Sequence, residues 1–165
     1  APRLDFKKPV CLHNPLLPSL QEAQLEGSFD EDETIDKSIK TKMSKSVSMG
    51  AIWVNDSPKS IREKYHEAFC PEKVVIGNPV LDHVRMLVFP HHGELMIERP
   101  DKYGGDVTFY SYEELAESYR KGGLHPLDLK KGLAESVVKL LDPVHEYFEK
   151  KPENLEKMKS LRATR

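Results

Sequence analysis

Residues 42 to 46 read Lys-Met-Ser-Lys-Ser. Lys42 and Lys45 carry ammonium groups on flexible stems. Ser44 and Ser46 set hydroxyls among the backbone N–H groups around Met43. Such a set is a movable anion clamp, able to follow a polyphosphate as charge builds on a leaving pyrophosphate. Mobility serves it, because a clamp must close on its anion and then release it. A generic loop of lysine and serine is solvated surface, so the weight rests on the complete five-residue string.

Charge around the string is uneven. Residues 22–36 hold seven acids (Glu22, Glu26, Asp30, Glu31, Asp32, Glu33, Asp36) and no Lys or Arg, while residues 37–45 hold four lysines and no acid. The acidic stretch shows no sustained period and reads as a mobile segment without an assigned role. Net charge is −2 over 165 residues. A global basic field is therefore excluded, and an anionic partner has to meet local patches. Cys11 and Cys70 stand far apart with no C-x-x-C, which suits a reducing cytosol and argues against a zinc knuckle. His91-His92 invites a metal reading, but adjacent side chains rarely point the same way and no Cys or third His completes a set, so no metal is expected. No apolar run approaches the ~20 residues of a membrane span, and no signal peptide is visible.

Elements that would position these groups are marked by caps. Residues 8–13 (KPVCLH) read as a short buried strand, followed by a loop with two prolines and, later, a brief extended piece at residues 51–54. Ser57-Pro58 opens a helix to about Cys70, with Pro71 as its stop. Asn78-Pro79 repeats the device, with Val80, Leu81, Val84, Leu87 and Val88 at helical spacing up to Phe89-Pro90. ELMIERP and DVTFYS form a hairpin around the turn DKYGG. Ser111 and Glu114 make a capping box, and Gly122-Gly123 ends that helix. His125-Pro126 opens the longest helix, with Leu133, Val137, Leu140, Leu141, Val144 and Phe148 on one stripe and a kink expected at Pro143. A short last helix follows. Trp53 and Met86 are assigned to the core. The fold class is mainly α with a small β-hairpin (α+β). Residues 1–55, with one strand and a long loop, read as the end of something larger, and residues 56–165 as a helical domain. The chain lacks an initiator Met, which processing or excision from a longer chain would explain.

KMSKS is the second signature of class I aminoacyl-tRNA synthetases. Taken with KKPVCLHNPLLPSL, NDSPKSIREKYHEAFCP, GNPVLD, ERPDKYGGDVT, SYEEL and LHPLDLKKGLAE, it makes nearly the whole chain resemble the C-terminal half of tyrosyl-tRNA synthetase of the archaeal/eukaryotic type. The resemblance implies ATP-dependent activation of tyrosine and its transfer to tRNA, and it makes residues 1–55 the C-terminal remnant of a Rossmann-type catalytic domain and residues 56–165 a helical anticodon-binding domain. ATP would bring its own Mg2+, and Lys42 and Lys45 would contact its phosphates, supported by Met43, Ser44 and Ser46. The first class I signature, of His-x-Gly-His type, is absent, as is a glycine-rich phosphate fingerprint. The chain alone is thus expected to be inactive and to need an N-terminal catalytic half, through which the family dimerises, in the cytoplasm.

The resemblance also places an aromatic in the KYGGD turn and an Asp in HPLDLK at the first anticodon base, a guanine in tyrosine tRNA. Here these are Tyr103 and Asp128. The chemistry fits: guanine presents N1–H and N2–H together, and a carboxylate accepts both. An aromatic ring adds stacking worth ~1–3 kcal/mol per base. Each residue also has a plainer role. Asp128 stands in the first turn of a helix, where an acid favours the dipole. Tyr103 would cover the hairpin, and His125 would be an N-cap as well as an RNA neighbour. Lys130 and Lys131 are candidates for phosphate contacts or for a solvated face. Two other readings stay open: a tRNA-binding fragment without catalysis, and the equivalent part of tryptophanyl-tRNA synthetase.

Overall fold

The computed structural model describes residues 16–21, 43 and 48–160. The expected strand at residues 8–13, the acidic stretch and four of the five clamp residues (Lys42, Ser44, Lys45, Ser46) lie outside them. A 3-10 turn, Ser48–Gly50, leads into helix α1, Pro58–Glu67. The Ser57 hydroxyl accepts from the Ser60 N–H at 3.2 Å, as the cap requires. The helix stops before Cys70. Ala68 turns extended, and the Phe69 N–H bonds the Leu20 carbonyl at 2.7 Å instead of a helical partner.

The Asn78 cap opens a helix built of three segments: α2, Pro79–His83, a π-turn over Val84–Val88, and α3, Phe89–His92. Asn78 is fully buried and fully employed. Its Oδ1 accepts from Val80 and Leu81, and its Nδ2 donates to Val74 O at 3.0 Å. The π-turn has a local cause. Pro90 lacks an N–H and its ring crowds the carbonyl four residues back, so the preceding turn widens and the Phe89 N–H reaches Val84 O. Gly93, at φ +75°, closes the helix in the left-handed conformation.

Strands β1, Leu95–Ile97, and β2, Val107–Phe109, pair antiparallel, with Met96 opposite Thr108. Helix α4, Tyr112–Arg120, starts at Ser111, whose hydroxyl accepts from Glu114 N–H. The Glu114 carboxylate answers at the Tyr110 N–H rather than at Ser111 itself. Helix α5, Pro126–Lys150, runs unbroken through Pro143, and α6, Pro152–Ser160, ends the described chain.

The core lies on the first half of α5. Leu129, Leu133, Ala134, Val137 and Val138 pack with Ile61 and Tyr65 of α1, Val80 and Leu81 of α2, Val84 and Val88 of the π-turn, and Leu95 and Ile97 of β1. The expected stripe fades beyond Val138: Leu140, Leu141, Val144 and Phe148 are half-buried. Trp53 is not core. It is 38% exposed, because residues 51–54 form no strand. They enter a turn in which Trp53 N–H bonds the Asp56 carboxylate at 2.8 Å and Asp56 N–H bonds Trp53 O. Met86 is half-buried. Leu20, in the proline-rich loop, is fully buried in the core, a role its surroundings in sequence do not suggest.

Besides Asn78, Lys64 and His83 are buried polar or charged side chains among the described residues. Lys64 of α1 donates to Ala51 O at 2.9 Å and pairs with Asp56. Breaking a pair this buried costs roughly 3–5 kcal/mol, since it strands a charge. His83 is fully buried at the end of α2, where Nε2 donates to Pro18 O at 2.9 Å and Nδ1 accepts from the Tyr65 hydroxyl at 3.0 Å. The carbonyl can only accept, so the proton sits on Nε2. Burial drives its pKa down to about 4, against a smaller upward pull from the Pro18 carbonyl.

The sign of the pH effect follows. Falling pH protonates the unfolded imidazole near 6.5 but the folded one only near 4. This group's stabilisation is therefore complete above about pH 6.5 and is lost between there and 4, at up to about 1.4 kcal/mol per pH unit. Urea unfolding at pH 7 and at pH 4.5 is expected to show a steeper loss for the wild type than for His83→Gln.

Candidate nucleic-acid interface

The turn between β1 and β2 is a 3-10 turn, Asp101–Tyr103, closed by Gly104 at φ +98° and Gly105 at φ +70°. Only glycine takes two such angles in succession without strain. The turn turns the Tyr103 ring outward, 62% exposed, so it covers no part of the hairpin core. The Lys102 ammonium lies 4.8 Å from the ring centroid, a cation–π contact on one face.

Arg99 ties this turn to the loop before α5. Its Nε donates to Gly105 O at 2.9 Å and its Nη1 to Gly123 O at 2.9 Å. Its own N–H is held by the Asp106 carboxylate. The planar guanidinium thus spans two loops with fixed geometry, which a lysine could not do. Sequence reading passed over Arg99, because its acceptors are main-chain carbonyls 6 and 24 residues away. A cation in a glycine-bounded turn is the only signal that points to it.

At the start of α5, His125 is the N-cap. Its Nδ1 accepts from the Leu127 N–H at 3.2 Å, which leaves the proton of the neutral ring on Nε2, 3.9 Å from the Glu72 carboxylate. Asp128 stands in the same first turn and is half-buried. Since His125 supplies the cap, Asp128 is not needed for it. Among the described residues, the Asp128 carboxylate takes no hydrogen bond and no ion pair, and the positive end of the helix dipole favours its charge. Lys130 donates to His66 O at 2.9 Å, satisfying a carbonyl at the end of α1. Lys131 meets Glu98 of the hairpin at 3.3 Å, an exposed pair that contributes little to stability and exchanges partners readily. Between α1 and α5 lies a groove of about 210 Å³, lined by Arg62, His66, Leu127, Lys130, Ala134 and Glu135. Arg62 and Glu135 bridge it with a two-pronged pair at 2.7 and 2.9 Å. Each group holds the other charged: the guanidinium pKa is raised and the carboxyl pKa lowered.

Of the clamp, only Met43 is described. It is half-buried, and its N–H bonds Leu17 O at 2.8 Å. His91 and His92 diverge: His91 Nδ1 bonds Leu87 O, and His92 Nε2 bonds Ser136 O. Among the described residues, no group of three or more His, Cys, Asp or Glu side chains could hold a metal ion. Nor is any of their helices long and apolar enough to cross a membrane.

The family description "tRNA synthetases class I (W and Y)" matches residues 3–142. The chain belongs to the class I tRNA synthetases. It is 48% identical over 159 residues to the tyrosine–tRNA ligase of Pyrococcus furiosus, covering 96% of this chain and 42% of that protein. With the tyrosine–tRNA ligase of Saccharolobus solfataricus it shares 42% identity over 153 residues. Among solved structures, it superposes on tyrosyl-tRNA synthetase of Pyrococcus horikoshii complexed with L-tyrosine with a TM-score of 0.78 at 45% identity, covering 88% of this chain and 40% of that one. The tyrosyl-tRNA synthetase of Aeropyrum pernix gives 0.70 at 38% identity. The chain therefore spans about two-fifths of the length of the synthetases it matches.

Hairpin and helix meet through Gly132. A Cβ there would lie 2.9 Å from Ile97 Cγ1 and 3.3 Å from Met96 O. Gly132→Ala is expected to lose roughly 1–2 kcal/mol by overpacking, after the gain in helix propensity is counted. Equilibrium denaturation checks this.

Proposed function

We propose that this chain is the KMSKS-bearing and anticodon-reading part of a tyrosine–tRNA ligase, residues 1–55 closing the catalytic domain and residues 56–165 forming the helical domain. The observation that carries the reading is the complete KMSKS string in a chain 48% identical to a named tyrosine–tRNA ligase along nearly its whole length. The relatives named above bear the tyrosine name, which favours tyrosine over tryptophan. An N-terminal catalytic half completes the enzyme, and the whole protein is a cytoplasmic homodimer.

In the completed enzyme, ATP enters with its Mg2+. Lys42 and Lys45 bind the phosphates and stabilise the charge that gathers on pyrophosphate as tyrosyl-adenylate forms. Ser44 and Ser46 supply hydroxyl donors, and the Met43 backbone anchors the segment. At the other end, Asp128 accepts the N1–H and N2–H of the first anticodon guanine. Tyr103 offers the face of its ring away from Lys102 for stacking, and His125 donates from Nε2. Lys131, released from Glu98, meets a phosphate. Lys130 does so only by giving up His66 O.

Two experiments test the reading. With the N-terminal half restored, the protein should catalyse tyrosine-dependent ATP–pyrophosphate exchange; no exchange removes the ligase, and exchange with tryptophan instead redirects it. Asp128→Ala should weaken binding of tyrosine tRNA by roughly 10- to 100-fold, as loss of a two-pronged base contact does. The same substitution should change little for a tRNA lacking that guanine. Equal loss on both tRNAs would assign Asp128 to the helix alone.

A further inference from the structure

Leu17–Leu20 is a short strap on which three parts of the chain converge. Met43 N–H bonds Leu17 O at 2.8 Å. Leu20 N–H bonds Gly50 O at 3.0 Å, and Ser19 Oγ donates to the same carbonyl. Phe69 N–H bonds Leu20 O at 2.7 Å, and His83 Nε2 bonds Pro18 O at 2.9 Å. The strap thus touches Met43, the turn at residues 48–50, and the helical domain on two sides. Main-chain donors make most of these bonds, and any sequence supplies them. The link through His83 is different, because it depends on one side chain deep in the helical domain.

That side chain is unusually well fixed. His83 is fully buried, its Nδ1 holds the Tyr65 hydroxyl, and the Tyr65 ring, also fully buried, meets the imidazole edge-on at 86°. Tyr65 comes from α1 and His83 from α2, so two helices set the direction of Nε2–H. Pro18 has a fixed φ, and its carbonyl lies one peptide unit from the Leu17 carbonyl that receives Met43. Only ψ of Pro18 is left between the two carbonyls, so holding Pro18 O restricts where Leu17 O points.

We propose that His83, oriented by Tyr65, is a positioning residue for the KMSKS segment: it holds Pro18 O and thereby places the Leu17 carbonyl on which the Met43 backbone rests. This rests on the ligase reading above. It makes the core of the anticodon-reading domain a fixed support for the phosphate clamp, with no contact between the imidazole and substrate.

The test uses the full-length ligase and two variants. His83→Phe keeps a ring but removes both hydrogen bonds. Tyr65→Phe keeps the fold of the pocket and removes only the orienting hydroxyl. Misplacement by about 1 Å costs up to ~100-fold in rate. His83→Phe is therefore expected to lower kcat/KM for ATP in pyrophosphate exchange by about tenfold or more, and Tyr65→Phe by roughly threefold. KM for tyrosine and the Kd for tyrosine tRNA should stay within about twofold, a split that general loosening would not produce. Amide hydrogen exchange at Met43 should quicken in both variants while amides of α5 keep their protection. Unchanged Met43 exchange overturns the proposal whatever the kinetics. So does a uniform loss across ATP, tyrosine and tRNA. Should His83→Phe fail to fold, Tyr65→Phe decides alone on the same two readouts. If the wild type shows no tyrosine-dependent exchange, the ligase reading falls, while Met43 exchange still reports on the strap by itself.

Discussion

The apolar face of α5 formed by Leu129, Leu133, Ala134, Val137 and Val138 is the surface on which the helical domain is assembled. Removing those side chains from water, together with the partners that α1, α2, the π-turn and β1 press against them, supplies most of the driving force. Close approach then decides the detail. Gly132 lets the hairpin lie against the helix at a distance no other residue allows, and that distance fixes where the Tyr103 turn stands relative to the first turn of α5. Arg99 completes the arrangement by bonding carbonyls on both sides. A three-residue strand pair would be too short to hold such a geometry unaided.

Polar burial serves a different end. Lys64, Asn78 and His83 are all buried. Lys64 and His83 donate to backbone carbonyls of other segments, and Asn78 donates to Val74 O while its Oδ1 accepts at the helix start. Such groups add little net stability over apolar ones of the same size, but they admit few alternative arrangements. Two of them, Lys64 and His83, bond the segments on either side of the KMSKS string: Ala51 after it and Pro18 before it. The string is thus flanked in sequence by connections to the helical domain.

The same economy appears at the candidate RNA surface. His125 caps the helix with one nitrogen and faces the exposed Glu72 with the other, so Asp128 is spared the capping duty that its position suggests. Among the described residues Lys131 bonds the exposed Glu98, whereas Lys130 is committed to a helix carbonyl. Two adjacent lysines of equal standing in the sequence therefore differ in what they can offer a phosphate.

Much was legible beforehand where the signal is local. Ser57, Asn78, Ser111 and His125, with the prolines after three of them, announce helix starts because capping chemistry needs only three or four neighbouring residues. The hairpin could be read from its Gly-Gly turn for the same reason, and the KMSKS string from its residue types. What sequence left undecided depends on contacts between distant segments. Helix α1 stops early because a carbonyl from Leu20 captures the Phe69 N–H. Trp53 leaves the core because the Asp56 carboxylate captures its N–H in a turn. Leu20 is core because the strap lies under α1, and Arg99 matters because two remote carbonyls meet there. Local chemistry determined the elements and the residues able to do work. Only the tertiary structure decided which of those residues are already employed, since a hydrogen bond to a partner tens of residues away leaves no trace in spacing or composition.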